Sequence, residues 1–489
     1  MNIVVAGSGT AGLLVALYTE KYHPTATITV VYDDNIPIIG VGESTTPNFY
    51  SLMCELNIPM DELVKNTEST IKNGIKFTNW KGDDSHYFHG FTDFYPHLLG
   101  VFCNGISRGI SLDTLDNASV LSAHDCVPYI KDEHTTSNYT YGCMSSYHFN
   151  AKLMAEYLQK VAVERGIKMV VGKIEDVVRD DDDYVTELIL DTKEVVKVDF
   201  VYDCTGFSRL FAGKTYNSPL KSYEDLLPVK RAFPFFLDKT GETPPHTECI
   251  AMKYGWMWKI PVGKRYGCGY VFDSDLTTDE EAYKEICEIT GQKPEIRKKI
   301  DFRPEYYTKP FNKNTLALGL AHGFLEPLEA TSLLLTIIML EVQHKTMPGD
   351  GIFDKKRRDE YTNDYNKSIL KLVENCVNFV HIHYLTPRND TEFWKNFSKR
   401  SPDQVKRILQ GVKEYDVKNP NFVDKEAPFN IYNFVKCLEG IGCIDDEFVK
   451  RNIVDNISDE FVDTRIVELL VITKKSKNHN DFLNELTNI

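Results

Sequence analysis

The chain of 489 residues is 42% hydrophobic and 26% charged, which is typical of a globular protein large enough for two or three domains. Its formal net charge of -15 argues against nucleic acid as the main partner. The sequence has no apolar run long enough to cross a membrane, its first residues lead us to expect no secretion signal, and its 11 cysteines form no C-x-x-C pair. We therefore expect a cytoplasmic protein with reduced thiols, no membrane partner and no metal.

A glycine-rich turn lies between the first predicted strand, residues 3–6, and an apolar helix-like run at 13–18. Glycines in that context permit a tight turn and let the backbone approach a pyrophosphate, which then sits at the helix N-terminus. The residues predicted to bind a dinucleotide there are Gly7, Gly9, Thr10, Ala11 and Gly12. The second predicted strand, 26–31, ends shortly before Asp33, our candidate for binding the ribose hydroxyls.

Three further glycine-bearing segments occur later in the chain, and two of them directly follow predicted strands. A large cofactor threaded through one domain requires such repeated close approach of the backbone, so the pattern favours FAD over NAD. The predicted cofactor residues in these segments are Gly40, Val41, Gly42, Glu43, Asp203, Gly206, Gly319 and Leu325.

A pair of tryptophans stands out in the middle of the chain, in W-x-W-x-I-P at 256–261. On a strand, Trp256 and Trp258 would project from the same face and line one surface with two large rings. Pro261 is expected to end that strand, because proline cannot donate to a β-ladder. An ordinary aromatic core pair is the alternative interpretation.

After residue 330 the apolar spacing becomes helical, at 333–340, 367–379 and 461–472. The predicted fold is α/β: an FAD-binding, doubly wound domain of the glutathione-reductase type with a strand-rich insertion and a mainly helical C-terminal region. We expect residues 1–335 to form the FAD module, with the insertion at about 75–140 and 215–310, and residues 336–489 to cover the substrate.

Together with G-V-G-E-x-T-x-P at 40–47, I-K-F-x-N-W at 75–80 and E-P-L-E-x-T at 326–331, these motifs make the chain resemble the flavin-dependent halogenases, in the branch that includes the tryptophan halogenases. The resemblance implies FAD used as FADH2, O2, and a halide ion that is chloride, bromide or iodide. In such enzymes the halide is oxidised to hypohalous acid, which passes through a tunnel to the organic substrate. It also implies a separate NAD(P)H-dependent flavin reductase, and homodimers are common in the family.

The resemblance assigns two catalytic residues, Lys72 and Glu329. Lys72 would position or capture the oxidant, either as an ammonium donating a hydrogen bond or as a neutral amine forming a haloamine. The spacing alone does not exclude Lys76, four residues further on. Glu329 would accept the proton lost from the halogenated ring or hold the oxidant; a helix N-terminal acid is the structural alternative.

Backbone N–H groups of Thr331 and Ser332 are the halide contacts that the resemblance implies. Relatives usually carry glycine where this chain has Ser332. Since the serine adds a side chain and restricts φ, we expect halide preference to shift from chloride towards larger, more readily oxidised halides.

On the substrate side, the resemblance implies that Trp256, Trp258 and Pro261 form a barrier that keeps the organic substrate from the flavin. Other residues at family substrate-binding positions are His89, His383, Phe393 and Trp394. Glu329 favours a free small molecule, an electron-rich aromatic such as an indole or phenol, over a carrier-tethered one. Two alternatives stay open: a flavin-dependent aromatic monooxygenase, and a flavin-binding protein that has lost activity.

Overall fold

The structure is a computed structural model that describes residues 1–36, 43–93, 96–130, 142–395, 402–414, 427–454 and 457–488. The predicted cofactor residues Gly40, Val41 and Gly42 lie outside the described residues.

The strands of the described residues are, in chain order, β1 (Asn2–Ala6), β2 (Thr27–Tyr32), β3 (Glu43–Ser44), β4 (Thr70–Lys72), β5 (Gly74–Thr78), β6 (His86–Gly90), β7 (Cys126–Ile130), β8 (Ser146–Phe149), β9 (Lys168–Val171), β10 (Ile174–Arg179), β11 (Val185–Leu190), β12 (Val195–Lys197), β13 (Phe200–Asp203), β14 (Leu220–Ser222), β15 (Arg231–Asp238), β16 (Thr247–Ala251), β17 (Gly255–Val262), β18 (Arg265–Phe272), β19 (Ile300–Asp301), β20 (Glu305–Tyr307), β21 (Phe311–Asn312), β22 (Thr315–Ala317), β23 (Gly323–Phe324) and β24 (Ser476–Asn478).

The α-helices are α1 (Thr10–Tyr22), α2 (Pro47–Glu55), α3 (Met60–Thr67), α4 (Pro96–Ser107), α5 (Asn117–Ala123), α6 (Ala151–Glu164), α7 (Asp279–Thr290), α8 (Thr331–Thr346), α9 (Lys355–Ile382), α10 (Pro402–Glu414), α11 (Ile431–Gly440), α12 (Asp446–Asn452), α13 (Asp459–Lys475) and α14 (His479–Asn488).

A six-stranded sheet carries the N-terminal glycine turn. Its order is β21-β22-β13-β1-β2-β9, and all neighbouring pairs are parallel except β21 with β22. Successive residues of β1 point to opposite faces: Ile3 and Val5 pack in the large core that includes α1, whereas Val4 and Ala6 pack against β11 and its neighbours. Helices thus cover one face and the β10-β11-β12 sheet covers the other, and the predicted α/β fold is confirmed.

The tryptophan pair lies on a second sheet, of order β19-β15-β18-β17-β16-β5-β6. β17 has neighbours on both edges for most of its length, but its pairing with β16 ends at Lys259. The prediction that Pro261 ends the strand is wrong by one residue, because β17 continues to Val262. At Pro261, the edge of β17 that pairs with β16 earlier in the strand faces Thr70 instead, and the Pro261 carbonyl accepts from the Thr70 hydroxyl. Because no strand of the described residues pairs with β17 on that edge at Pro261, the N–H that proline lacks would have made no hydrogen bond between strands there.

Lys72 lies at the end of a short edge strand. β4 belongs to a three-stranded sheet of order β3-β8-β4, in which Lys72 pairs with Ser146 and Glu43 pairs with Phe149. The same small sheet therefore carries the predicted catalytic lysine and a predicted cofactor residue.

The region after residue 335 is mainly helical, as predicted, with β24 as the strand observed there. α9 begins at the capping carboxylate of Asp354, and α11 begins with a capping box formed by Asn430 and Asn433. None of the helices in the described residues has the length and hydropathy needed to traverse a bilayer.

Candidate active site

A cavity of about 510 Å³ runs from the glycine turn to the tryptophan pair. Any side chain at Gly7 is excluded, because its φ is +120° and a Cβ would meet the Cys204 carbonyl oxygen at 2.3 Å. A Cβ on Gly9, in contrast, would meet nothing within 4 Å, since Gly9 faces the open cavity at the start of α1. The free N–H groups of a helix N-terminus facing an open space of this size fit the pyrophosphate of FAD.

Replacing Gly9 with alanine is expected to weaken FAD binding without unfolding the protein. The backbone at Gly9 (φ -68°, ψ 174°) suits alanine, so stability should change by no more than about 0.5 kcal/mol. The methyl group would occupy space next to the pyrophosphate, and we expect the FAD dissociation constant to rise by about tenfold, or 1.4 kcal/mol. Flavin fluorescence titration and thermal melting of the flavin-free protein measure the two effects, and an unchanged dissociation constant would remove Gly9 from the cofactor site.

Most of the predicted cofactor residues in the described part of the chain line this cavity. The lining set includes Gly7, Gly9, Thr10, Ala11, Gly12, Asp33, Glu43, Gly206 and Gly319. Asp203 and Leu325 are fully buried and do not line it. The Asp203 carboxylate instead accepts hydrogen bonds from Thr205 and from the Phe211 backbone N–H, so it holds the loop after β13 in shape.

Trp256 and Trp258 form the wall at one end of the cavity. Both line it, their ring centres are 6.3 Å apart, and both project from the same face of β17, as predicted. The Trp256 indole N–H lies 3.2 Å from Glu326 Oε1 and 3.1 Å from the Tyr384 hydroxyl, which itself donates to Glu326 at 2.7 Å. Burial raises the pKa of Glu326 to about 8. These contacts fix the orientation of the Trp256 ring. The sequence motifs assigned no role to Glu326 or Tyr384.

Lys72 is fully buried and does not line the cavity, but it interacts electrostatically with Glu329, which does. Its Nζ donates to the Thr45 carbonyl at 2.8 Å and lies 4.7 Å from the ring centre of Phe91. Burial lowers the pKa of Lys72 to about 8, while the negative charge of Glu329, which lines the cavity, opposes that shift. The carbonyl and the aromatic face each favour the ammonium form.

Lys76, which the spacing had left open as an alternative, is a half-buried residue of β5. Lys72, on β4, is fully buried and donates a hydrogen bond to the Thr45 carbonyl. Of the two lysines, Lys72 is the one that is fully buried against a carbonyl and an aromatic ring.

Glu329 lines the cavity and is 2% exposed. Its oxygens lie 3.0 and 2.9 Å from His89 Nδ1. Because the Asn433 amide donates to His89 Nε2 at 2.9 Å, the ring hydrogen lies on Nδ1 and is donated to Glu329. His383 Nε2 lies 3.1 Å from Glu329 Oε1, in an alignment poor for a hydrogen bond, and its Nδ1 lies 3.0 Å from the Tyr87 hydroxyl.

These two imidazoles determine the charge of Glu329. Burial by itself raises the pKa of that carboxyl, but the facing His89 and His383 more than offset it and hold the pKa well below its usual range. Glu329 is therefore a carboxylate at neutral pH. Cys437 completes a buried group whose ligand atoms lie within 4.8 Å of one another. Both nitrogens of His89 are already hydrogen-bonded, however, so this group offers a metal ion no free imidazole.

The turn that carries Glu329 is strained. Glu329 and Ala330 have φ values of 64° and 53°, so two successive non-glycine residues adopt the left-handed conformation just before α8. Such conformations cost about 1–3 kcal/mol each and concentrate at functional sites. At the helix start that follows, Ser332 lines the cavity, whereas Thr331 is buried and does not line it.

The other predicted substrate residues lie deeper in the protein. The Trp394 indole N–H donates to the Met252 carbonyl at 2.8 Å, and Phe393 and Trp394 are each 2% exposed and pack against Tyr384. They back the tryptophan wall and do not line the cavity. Pro261 contributes its carbonyl to Thr70, close to Lys72 in sequence.

Comparison with known proteins gives concordant matches. A family model described as tryptophan halogenase matches residues 2–453. Tryptophan 7-halogenase RebH of Lentzea aerocolonigenes is 31% identical over 445 residues, covering 84% of this chain and 80% of that protein. Tryptophan 6-halogenase SttH of Streptomyces toxytricini is 27% identical over 480 residues, covering 91% of this chain and 90% of that protein.

A solved structure of a tryptophan halogenase from Shewanella frigidimarina has the same fold. It superposes with a TM-score of 0.88 at 21% identity, covering 100% of this chain and 98% of that one. The fold likeness thus extends over the whole chain, whereas the family model stops ahead of α13, β24 and α14.

Proposed function

The chain belongs to the tryptophan halogenase family, and we propose that it halogenates a free, electron-rich aromatic molecule of the indole class at a site between Lys72 and Glu329. As a flavin-dependent halogenase it uses FADH2, O2 and a halide ion. The observation that carries the proposed site is a buried carboxylate, Glu329, which lines the cofactor cavity and interacts electrostatically with a buried lysine, Lys72, whose pKa is lowered.

FAD would be held by the glycine turn, with Asp33 at the ribose end and Gly206 and Gly319 allowing close backbone approach. When bound, reduced FAD supplies the electrons that activate O2 and so oxidise the halide. The wall of Trp256 and Trp258 excludes the organic substrate from the flavin end of the cavity, which keeps oxygen transfer to the ring from competing with halogenation.

Lys72 holds the hypohalous acid by a hydrogen bond from its ammonium. With one N–H donated to Thr45, two others are available for the oxidant, and withdrawal of electron density from its oxygen makes the halogen more electrophilic. As the carbon–halogen bond forms, the oxygen–halogen bond breaks and the oxygen leaves as hydroxide, hydrogen-bonded to the Lys72 ammonium. Glu329, kept ionised by its imidazole neighbours, accepts the proton that the ring then loses and can pass it to that hydroxide, which leaves as water.

The ammonium role predicts a particular pH dependence. Because the pKa of Lys72 is about 8, we expect kcat/KM for halogenation to fall as pH rises through about 8. Ionisation of Glu329 should not change the rate near neutral pH, since its pKa lies far below that range. Rates measured with FADH2 supplied chemically, so that a reductase does not limit them, test this expectation. A rate that rises through the same pH range would instead indicate a neutral amine and a haloamine.

We propose bromide or iodide over chloride as the preferred halide, because these ions are more readily oxidised and because Ser332, where relatives usually carry glycine, changes the cavity wall at the start of α8. A single reaction containing all three halides at equal concentration would yield mainly the brominated or iodinated product. A chlorinated product in excess would contradict the proposal.

Mass spectrometry of a substrate panel tests the function itself. Tryptophan, other indoles, phenols and pyrroles would be incubated with the protein, FAD, NADH, O2, halide and a separate flavin reductase, the partner that we propose supplies FADH2. Catalase would remove peroxide formed by free flavin. Halogenated indoles are the expected products, whereas a gain of one oxygen would favour the monooxygenase alternative, and no turnover at all would favour a flavin-binding protein without activity.

A further inference from the structure

Among the strands of the described residues, only β8 pairs with β4, the strand that carries Lys72. β4 pairs with β8, and the N–H of Ile71 points to the opposite, free edge. There it donates to Nε2 of His479 at 3.0 Å. On the same edge, the N–H of Asn73 donates to the Pro245 carbonyl at 2.7 Å. Both residues that flank Lys72 are therefore fixed from outside the sheet, and one of the two anchors is a side chain 408 residues away in sequence.

His479 is itself held in one orientation. Its Nδ1 lies 2.8 Å from the Thr243 carbonyl, so Nδ1 carries the hydrogen and donates it, while Nε2 accepts from Ile71. The side chain is fully buried, and burial lowers the pKa of His479 to about 4. The imidazole is thus a neutral ring in a single tautomer at neutral pH.

The segment around His479 is anchored at several further points. β24 pairs antiparallel with β7, and the backbone N–H of His479 donates to the Asp125 carbonyl at 2.8 Å. The Thr243 N–H donates to the side chain of Asn480 at 3.2 Å. The ring of Phe482 stacks on Tyr129 of β7 at 4.3 Å. These contacts hold the His479 imidazole in place, and its hydrogen bond to the Ile71 N–H in turn holds β4 in place.

β7 reaches the lysine from the other direction. The Asn73 amide donates to the Cys126 carbonyl at 2.9 Å, and Cys126 is paired with Asn478 of β24. The backbone next to Lys72 and the C-terminal segment are thus joined both directly, through His479, and indirectly, through β7.

We propose that the C-terminal segment Ser476–Asn488 is a clamp on the catalytic strand, and that His479 is a positioning residue that sets where the Lys72 ammonium meets the oxidant. This inference rests on the proposed role of Lys72. The clamp lies beyond residues 2–453, the part of the chain that the family model matches.

The clamp acts on capture of the oxidant and not on its formation. His479 does not line the cofactor cavity, so FAD binding and halide oxidation do not depend on it. A displacement of about 1 Å at a catalytic group can cost about a hundredfold in rate. Loss of the His479 contact should therefore let hypohalous acid escape into solution while it continues to be made.

The test replaces His479 with phenylalanine, which keeps a ring but removes both hydrogen bonds, and with glutamine, whose amide can both accept and donate. His124→Phe, at an exposed histidine, is the matched control. Four quantities are measured: kcat and KM for halogenation, the FAD dissociation constant, hypohalous acid trapped by a soluble scavenger per O2 consumed, and hydrogen exchange of the peptide that contains Ile71.

For His479→Phe we expect kcat to fall by about 10- to 100-fold, with KM and FAD affinity within about twofold of the wild type. Trapped oxidant should rise in proportion, and the Ile71 peptide should exchange faster. His479→Gln should recover a large part of kcat, and His124→Phe should match the wild type. If His479→Phe binds FAD and halogenates at the wild-type rate, the clamp is wrong and the proposed function stands. If the wild type makes no halogenated product but exchanges slowly at Ile71, the proposed function fails, and the positioning role fails with it.

Discussion

Lys72→Met is expected to lower kcat for halogenation by about a hundredfold or more while FAD binding stays at the wild-type level. Methionine fills a similar volume and is apolar, so it relieves the cost of burying an ammonium and should not unfold the protein. It cannot donate to the oxidant, however, and hypohalous acid should then leave the protein unreacted. Product yield and scavenger-trapped oxidant are measured in the same reaction.

Lys76→Met is the matched control, since Lys76 follows four residues later and is only half-buried. It should keep halogenation close to the wild-type rate. If the two variants lost activity equally, or if Lys72→Met kept full activity, capture of the oxidant at Lys72 would be ruled out.

Glu329→Gln is the second change with a large expected effect, and we expect it to lower kcat by about a hundredfold. The amide has nearly the same shape but cannot take the ring proton. It also places an N–H₂ group next to the His89 Nδ1–H, which both carboxylate oxygens had faced, and this should cost about 1–3 kcal/mol of stability. Rapid-quench kinetics and thermal melting separate the catalytic loss from the loss of stability.

Glu392→Gln, at an exposed carboxylate, is the control for loss of a charge and should behave as the wild type. Glu329→Asp keeps the charge but shortens the side chain, so it should recover stability more than activity. A Glu329→Gln enzyme with normal kcat would show that the ring proton leaves by another route.

Parts of the site could be predicted from sequence because their signals are local. The glycine turn is specified by a strand, a turn and a helix within twenty residues, and the shared face of Trp256 and Trp258 follows from the two-residue period of a strand. Lys72 and Glu329 were assigned by motif resemblance. Their chemistry, however, depends on burial and on partners such as Thr45, Phe91 and His89, which lie in other elements.

Other features could not be predicted, because they depend on contacts between distant segments. Nothing next to His479 in sequence signals that its ring completes the edge of β4. The same holds for Tyr384, whose hydroxyl accepts from the indole N–H of Trp256, and for the hydrogen bonds by which Asp203 holds the loop after β13. The assumption that proline ends a strand failed at Pro261, because the neighbouring strand had already ended.

The mass of the product shows whether this protein transfers a halogen to an aromatic ring at Lys72. Wild type and Lys72→Met would each receive an indole, bromide, O2 and FADH2, with catalase present. We expect a monobrominated indole from the wild type and almost none from Lys72→Met. A hydroxylated product from the wild type would show that the protein is not a halogenase, and equal bromination by both proteins would show that the halogen is not transferred at Lys72.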